Sequence, residues 1–407
     1  MLIFIKLLTI KHTKKLTHFY KGKTTFILIL LCSMIKLKTS DNTILIKKAN
    51  YKDKIQIYKW NNLLSHNFTM KNNTILIFEP HAYHYECSPG YAKYFIDLGF
   101  EVDILMHKSG RDSFNLFEKK EKIRLILYRK LTEIRDFAKI FKFYMSFYSF
   151  ILVQTISKKT FEIISNLGLL KNNRAIYVFH FIKYYEVMNF SKIKNQNRIW
   201  TLGHFSVGLQ VVPFYFGKNI LRDKNQKTRF FTVSTKSRNY NFLISAAEKL
   251  REENLDFEVV VVGKVRRFSV NNINEKIKEN FIFNYRVHFE KLYKIIESSD
   301  YIIITLDPQN RKDNIFKDKK VTGAAQLSYG FGKPALINEY FNDNYNMTKD
   351  NSFIYDKTNF YDIMKKAILL NNKNYKIMQK NLIEVANRLY NVSLLNAQKT
   401  LNSLYYI

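Results

Sequence analysis

Two histidines and a glutamate lie within one short loop of the sequence. The stretch "PHAYHYECSPG" spans residues 80–90 and carries His81, His84 and Glu86 between the end of an apolar run and Gly90. An imidazole or a carboxylate at such a position is able to deprotonate a hydroxyl group or to orient a bound substrate. Solvation of the loop is the alternative explanation for each side chain taken alone.

Two more histidines follow or occupy apolar runs. His204 comes directly after "RIWTLG", where a strand is predicted to end, and is a further catalytic candidate. His180 lies inside the apolar pattern of 174–182, so we expect a core histidine whose hydrogen bonds are satisfied. If His84, Glu86 and His204 meet at one edge of one sheet, they form the catalytic set that the sequence favours.

A glycine-rich stretch in the second half indicates a different chemistry. "KVTGAAQLSYGFGKPALI" (320–337) places three of the chain's 12 glycines within ten positions. The pattern predicts a helix that starts within 321–323, is closed by Gly330 and Gly332 and precedes a strand. Free backbone N–H groups at such a helix start favour phosphate, because the helix dipole adds to their hydrogen bonds. The alternative is that the glycines only let the helix and the strand pack closely.

The segments around the first loop alternate between strand and helix. Residues 74–80 form a short apolar run stopped by a proline, 90–99 an amphipathic helix ended by a glycine, and 100–106 a second strand. Such a βαβ unit predicts a parallel sheet. Further strands are predicted at 149–156, 174–182 and 197–205, and the segment between 111 and 148, rich in Lys and Arg, is predicted to be mainly helical.

A second alternation begins near residue 228. Buried strands are predicted at 228–235, 257–263 and 301–308, and helices at 238–254 and along 359–405. Two consecutive halves of this kind predict an α/β protein with two doubly wound, Rossmann-like domains that face each other across a cleft. The predicted parts are an N-terminal extension (1–45), an N-terminal Rossmann-like domain (46–215), a C-terminal Rossmann-like domain (216–380) and a C-terminal helix (381–407).

The ordered elements of the second half carry a family resemblance. A strand followed by "STKSRNYNFLISAAEKL", "FEVVVVG", "VHFEKLYKIIESSDYIIITLDP" and "TGAAQLSYGFGKPALI" resembles the C-terminal domain of GT-B glycosyltransferases, which use nucleotide-sugar donors. The resemblance covers about residues 228–340 and is to a divergent member of the family 4 or group 1 type. In the first half, "PHAYHYECSPGYAKYFIDLGFEVDIL" resembles the first βαβ unit of a GT-B N-terminal domain.

The resemblance implies a set of donor-binding residues. In that family a basic pair holds the diphosphate, a glycine after the second strand lines the nucleotide, a short strand meets the base, and a helix start meets the diphosphate or the sugar. The matching residues are, in that order, Lys236 and Arg238, Gly263, Val287 and His288, and Thr322 and Gly323. Gln326 has no counterpart in this set, and we expect it to contact the sugar hydroxyls because it lies nearby in the sequence. The resemblance also implies that 46–215 is the acceptor-side domain, which holds Glu86, His84 and His204, and that 216–380 is the nucleotide-sugar-binding domain.

The chain departs from the retaining branch of that family at one place. That branch has two glutamates spaced by seven residues, and the matching positions here hold Lys319 and Leu327. The branch and the stereochemical outcome therefore stay open. The sequence also has no Asp-x-Asp motif, so we expect cationic side chains and a helix dipole, rather than a metal ion, to hold the diphosphate. No cofactor is expected, since the nucleotide sugar is a co-substrate.

The chain carries a large excess of positive charge. Its 66 Lys and Arg against 34 Asp and Glu give a net charge of +32, which favours nucleic acid, anionic lipid or a phosphorylated substrate as partner. A bias towards Lys and Asn explains at least half of this excess. A basic nucleic-acid-binding protein is the rival from another class, but no DNA- or RNA-binding module is recognisable and no nucleic-acid partner is expected.

An apolar run near the amino terminus bears on location. "TTFILILLCSMI" (24–35) is flanked by lysines and is shorter than the roughly 20 residues that cross a bilayer. A signal-peptide core, an interfacial anchor and an upstream start codon are the alternatives. We expect a cytoplasmic protein, peripheral on the inner face of the cytoplasmic membrane, that acts on a glycan or lipid-linked acceptor in surface-polysaccharide biosynthesis. A nucleotide-sugar epimerase and a catalytically degenerate homologue on the same fold are the alternative functions.

Overall fold

The structure is a computed structural model of the 407-residue chain. It describes residues 35–40, 43–48, 73–81, 84–130, 134, 145–214, 216, 219, 221–234, 238–263, 273–285, 287–356 and 358–405, with the backbone alone for the first two of these segments.

The described part of the first half forms one nine-stranded sheet. Its strands are β1 Ile35–Ser40, β2 Thr43–Lys48, β3 Thr74–Phe78, β4 Glu101–His107, β5 Ile123–Tyr128, β6 Phe150–Val153, β7 Ala175–Phe179, β8 Ile199–Thr201 and β9 Leu209–Gln210. They lie in the order β1-β2-β5-β4-β3-β6-β7-β8-β9. All neighbouring pairs are parallel except β1 with β2. The sheet therefore presents the carboxyl ends of β3 to β9 at one edge.

The described part of the second half forms a six-stranded sheet. Its strands are β10 Thr228–Ser234, β11 Phe257–Gly263, β12 Phe281–Asn284, β13 Tyr301–Ile304, β14 Ala335–Asn338 and β15 Phe353–Tyr355. They lie in the order β12-β11-β10-β13-β14-β15, and every pair is parallel. This is the doubly wound order, with the direction of winding reversing between β10 and β13. The predicted fold class, two doubly wound α/β domains, is confirmed.

The described residues contain eleven α-helices, of which the last two follow the final strand. They are α1 Ser88–Asp97, α2 Lys158–Asn166, α3 Lys183–Val187, α4 Asn241–Glu252, α5 Glu275–Lys278, α6 Phe289–Glu297, α7 Ile315–Asp318, α8 Gly323–Phe331, α9 Glu339–Asn342, α10 Phe360–Leu369 and α11 Asn372–Tyr405.

The local sequence explains the βαβ unit that begins at β3. All five residues of β3 are buried, as expected for a parallel strand covered on both faces. Pro89 lies in the first turn of α1, where its missing N–H costs no hydrogen bond. Gly99 follows the helix with φ +90, a backbone conformation that favours glycine. The loop between β3 and α1 is thereby held between two rigid elements.

The prediction for 111–148 was wrong in one respect. This segment contains β5, which pairs with β4 over six residues. The apolar run "IRLILY" lies between Lys-rich flanks, and those flanks gave the whole segment a helical appearance. Burial of this strand between β4 and β2 decides its conformation.

The last helix contacts both halves of the chain. Thr400 Oγ1 accepts a hydrogen bond from Trp200 Nε1 at 2.8 Å, and Ser393 Oγ accepts one from the Val212 N–H at 3.0 Å. Near its start, Gln379 Nε2 donates to the Gly332 carbonyl at 3.2 Å. The helical periodicity predicted for 359–405 corresponds to α10 and α11. The domain boundaries themselves remain a prediction.

No helix among the described residues is long and apolar enough to cross a membrane. Residues 24–34 of the apolar run lie outside the described residues, and its last residue, Ile35, begins β1.

Candidate functional site

The two halves meet at the carboxyl edge of the first sheet. Just after β7, Phe181 forms an antiparallel bridge with Lys320, and the Ile182 N–H donates to the Lys319 carbonyl at 3.0 Å. After β8, a Cβ on Gly203 would lie 2.8 Å from Val321 Cγ2, so glycine is needed for this approach. The backbone that leads into α8 is therefore packed against the ends of two strands of the N-terminal sheet.

The loop after β3 holds two of the predicted catalytic residues together. His84 Nδ1 lies 3.6 Å from Glu86 Oε1, and both side chains are about one-third exposed (31% and 27%). Although burial lowers the pKa of His84, the nearby carboxylates of Glu86 and Glu79 outweigh it and leave that pKa above its ordinary value. Tyr85 packs edge-on against Phe289 of α6, with ring centroids 5.8 Å apart. The loop thus reaches the C-terminal half.

Glu79 is a buried carboxyl group that the sequence analysis did not select. It follows β3 directly and is fully buried. The Thr155 hydroxyl donates to Oε2 at 2.6 Å, and the His81 N–H donates to Oε1 at 2.5 Å. Burial nevertheless raises the pKa of Glu79 to about 8, against the lowering effects of His84 and of these two hydrogen bonds. An acid directly after a buried strand was the signal that could have found it.

His180 is buried as predicted, and it is also part of the site. Its Nε2 lies 3.1 Å from the Gln154 carbonyl oxygen, which satisfies the ring as expected for a core histidine. Its ring also lies 4.4 Å from the ring of His84, centroid to centroid. On the other side of His84, the ring of His81 lies at 5.3 Å. Among the described residues, no group of His, Cys, Asp and Glu is arranged to hold a metal ion.

The predicted helix start in the glycine-rich stretch is confirmed. Helix α8 begins at Gly323, with Thr322 as N-cap, and ends at Gly332, whose φ of +59 requires a left-handed conformation. The Thr322 N–H donates a hydrogen bond to the Tyr345 hydroxyl oxygen at 3.2 Å. A Cβ on Gly323 would meet nothing within 4 Å, so this position faces open space. The Ala325 N–H donates to the Thr322 carbonyl at 3.2 Å. The N–H groups of Gly323 and Ala324 are those that a helix start leaves without an intrahelical partner.

Gly330 does not close α8, contrary to the prediction. The helix continues through it to Phe331. A Cβ there would lie 1.9 Å from Phe216 Cδ2 and 2.4 Å from the Phe214 carbonyl oxygen. For this glycine the alternative of close packing is the correct one.

Gln326 lies on α8 and faces the N-terminal domain. Its side chain is 3% exposed, and its Oε1 accepts a hydrogen bond from Cys87 Sγ at 3.8 Å. The Nε2 atom is buried without a hydrogen-bond partner among the described residues. The next residue, Leu327, is also buried, whereas Lys319 before the helix is exposed. Neither of these last two supplies a carboxylate.

Arg238 is held in a buried ion pair. Its Nη1 lies 2.8 Å from Asp313 Oδ1, with the two side chains 9% and 1% exposed. The Arg238 guanidinium and the Lys320 ammonium lie 5.0 and 5.2 Å from the ring centre of Phe316. Burial and the nearby guanidinium lower the pKa of Lys320. Lys320 and Asp313 belong to the site and were missed, because their partners lie far away in sequence.

The other predicted residues occupy separate places. His204 is exposed in the loop beyond Gly203, and His288 is exposed directly before α6. Val287 is partly buried against the core of the second domain. Gly263 ends β11 with φ +129. Lys236, the other half of the predicted basic pair, lies outside the described residues.

Comparison with known proteins rests on structure. No protein-family model and no curated protein matches the chain. A glycosyltransferase from Rickettsia africae ESF-5 has a TM-score of 0.51 and 13% identity, covering 82% of this chain and 98% of its own. HepE of Anabaena, solved in complex with UDP-glucose, has a TM-score of 0.51 and 12% identity, covering 82% of this chain and 100% of its own. The chain has the GT-B fold. The loop that carries His84 and the start of α8 thus lie at the facing edges of the two domains of this fold.

Proposed function

We propose that the chain is a glycosyltransferase that moves a sugar from a nucleotide-sugar donor to a glycan or lipid-linked acceptor, without a metal ion. The observation that carries the proposal is the meeting of two chemically distinct edges in a GT-B fold. One edge supplies the His84–Glu86 pair, and the other supplies an uncovered helix start at Gly323. In an open α/β sheet, this is the side on which ligands bind.

The donor side has the chemistry needed for a departing diphosphate. Glycosyl transfer leaves negative charge on the diphosphate, and the amides at Gly323 together with the helix dipole stabilise it. Arg238 is already neutralised by Asp313, so the Lys320 ammonium is the cation that is available for this role. Lys236 is proposed as its partner in the loop after β10.

The acceptor side has the chemistry needed to take a proton from a hydroxyl group. His84 acts as the general base and Glu86 orients its ring, at the 3.6 Å separation described above. The raised pKa of His84 makes its neutral imidazole a stronger base. His204 is proposed to contact the acceptor from the loop beside α8.

Surface-polysaccharide assembly at the inner face of the cytoplasmic membrane is the proposed setting. The net charge of +32 supports it, because anionic lipid and diphosphate-linked acceptors both attract a basic protein.

The experiment that tests the proposal is a release assay. Full-length protein is incubated with UDP-, GDP- and CMP-sugars, with and without a lipid-linked glycan fraction, and the nucleotide leaving group is measured. Release that depends on the acceptor supports the proposal. An altered sugar without release indicates an epimerase, and binding without either reaction indicates a degenerate homologue. Salt-sensitive binding to an oligonucleotide, with no effect of any nucleotide sugar, would favour the nucleic-acid rival.

A further inference from the structure

Only one half of the Gln326 amide is paired among the described residues. The oxygen accepts from the Cys87 thiol, whereas Nε2 is enclosed by protein and has no hydrogen-bond partner. A buried donor without a partner is destabilising, and native proteins contain few of them. An apolar side chain of similar length would avoid this penalty. The amide therefore points to a partner that is supplied by a ligand.

The unpaired atom lies beside the open end of α8. Gly323 and Gln326 are three residues apart on this helix and so share a face. A Cβ on Gly323 would enter open space, and the helix start leaves the N–H groups of Gly323 and Ala324 without intrahelical partners. A ligand held at those N–H groups has Gln326 one turn further along the same face.

Cys87 pairs with the oxygen end of the Gln326 amide. It belongs to the N-terminal domain, as the residue before α1, while Gln326 belongs to the C-terminal domain. A thiol S–H is a weak donor, and its contact with the amide oxygen leaves the NH₂ group of Gln326 for another partner. Cys87 is 1% exposed. Its burial raises the thiol pKa well above the ordinary range, so the group keeps the proton that it donates.

We propose that Cys87 is a positioning residue that orients Gln326, and that Gln326 Nε2 donates a hydrogen bond to an oxygen of the sugar being transferred. This inference rests on the proposed function. It makes recognition of the sugar depend on contact between the two domains, since the orienting group and the recognising group come from different halves. The free nucleoside diphosphate, which lacks the sugar, gains nothing from Gln326.

The test compares affinities for a nucleotide sugar and for its nucleoside diphosphate, measured by calorimetry on the full-length protein. UDP-glucose with UDP and GDP-mannose with GDP are the two probe pairs, and the pair that wild type binds more tightly is used. Gln326→Met is expected to reduce the preference for the nucleotide sugar about fivefold, the effect of one lost hydrogen bond. Affinity for the diphosphate and the Tm of the free protein are expected not to fall. Leu327→Met, a buried neighbour on the same helix, is the matched control and keeps the preference.

The positioning role of Cys87 is tested with two further variants. Cys87→Ala removes the donor and is expected to lower the same preference about threefold, whereas Cys87→Ser retains a donor and restores it. Folded Gln326→Met and Cys87→Ala proteins that bind both probes with the wild-type ratio would overturn the inference alone. If wild type binds no member of the UDP-, GDP- and CMP-sugar panel, the proposed function falls, and this inference falls with it.

Discussion

The imidazole rings of His84 and His180 lie 4.4 Å apart, centroid to centroid, with an angle of 42° between their planes. His84 comes from the loop after β3 and His180 directly follows β7, and β6 separates these strands in the sheet. The contact therefore joins two loops at one edge. Burial lowers the pKa of His180 well below its ordinary value, so this ring stays neutral beside His84, whose pKa is raised.

The first prediction concerns the base and its partner. His84→Gln is expected to lower the rate of acceptor-dependent diphosphate release by about 10²- to 10⁴-fold while donor affinity is retained, because a general base acts on the chemical step. Glu86→Gln is expected to cause a smaller loss. If the two act as a unit, the double variant is no slower than His84→Gln alone. If the losses in single-turnover rate are additive instead, Glu86 acts independently of His84.

The two glycines of α8 provide a matched comparison. Gly330→Ala is expected to destabilise the protein by about 1–3 kcal/mol, because its new methyl group overlaps Phe216. Gly323→Ala meets no protein atom and is expected to leave Tm unchanged or higher. Its methyl group, however, enters the space assigned to the diphosphate, so nucleotide-sugar affinity is expected to fall by about tenfold or more, or roughly 1.4 kcal/mol. Unchanged affinity in Gly323→Ala would remove the helix start from the donor site.

The buried ion pair allows a test of stability. Asp313→Ala leaves the Arg238 guanidinium buried and unpaired, and about 3 kcal/mol of stability is expected to be lost, measured from the urea midpoint. Glu290→Ala breaks the exposed pair with Lys294 on α6 and serves as control, with no measurable change expected. Equal behaviour of the two variants would show that the Arg238 pair is accessible to solvent.

Glu79 predicts an unusual dependence of stability on pH. Its pKa rises from 4.5 to about 8 on folding, so between these values the folded chain keeps a proton that the unfolded chain has released. The free energy of unfolding contributed by this group therefore falls as pH rises through that window, by on the order of 5 kcal/mol, and is constant above it. Glu79→Gln cannot ionise, so its Tm advantage over wild type is expected to grow between about pH 5 and about pH 8.5. The exposed Glu118→Gln is the control, and a pH-independent difference for Glu79→Gln would refute the raised pKa.

The sequence was sufficient for features that depend on neighbours in the chain. Buried strands such as β3 and β11 are continuous apolar runs, and the start of α8 follows from the turn before Gly323. Their order along the chain then predicts two doubly wound sheets, because parallel strands need crossover connections. The pairing of His84 with Glu86 was predictable for the same reason, since the two residues share one loop.

The remaining features depend on contacts between distant segments. Asp313 and Arg238 are far apart in sequence, and so are Cys87 and Gln326. No local pattern distinguishes a buried ion pair from two solvated charges, or a recognising amide from a surface one. Gly330 was misassigned for this reason, since the close approach of Phe216 is visible only in the fold.

The central claim is that the GT-B fold of this chain binds a nucleotide sugar at the start of α8. The most direct measurement is the Tm of the full-length wild-type protein against a panel of UDP-, GDP- and CMP-sugars at fixed salt. One donor class is expected to raise Tm, with about 2.7 kcal/mol of stabilisation at a hundredfold excess over its Kd, and Gly323→Ala is expected to reduce that shift. No shift with any donor, or an equal shift in Gly323→Ala, would contradict the claim.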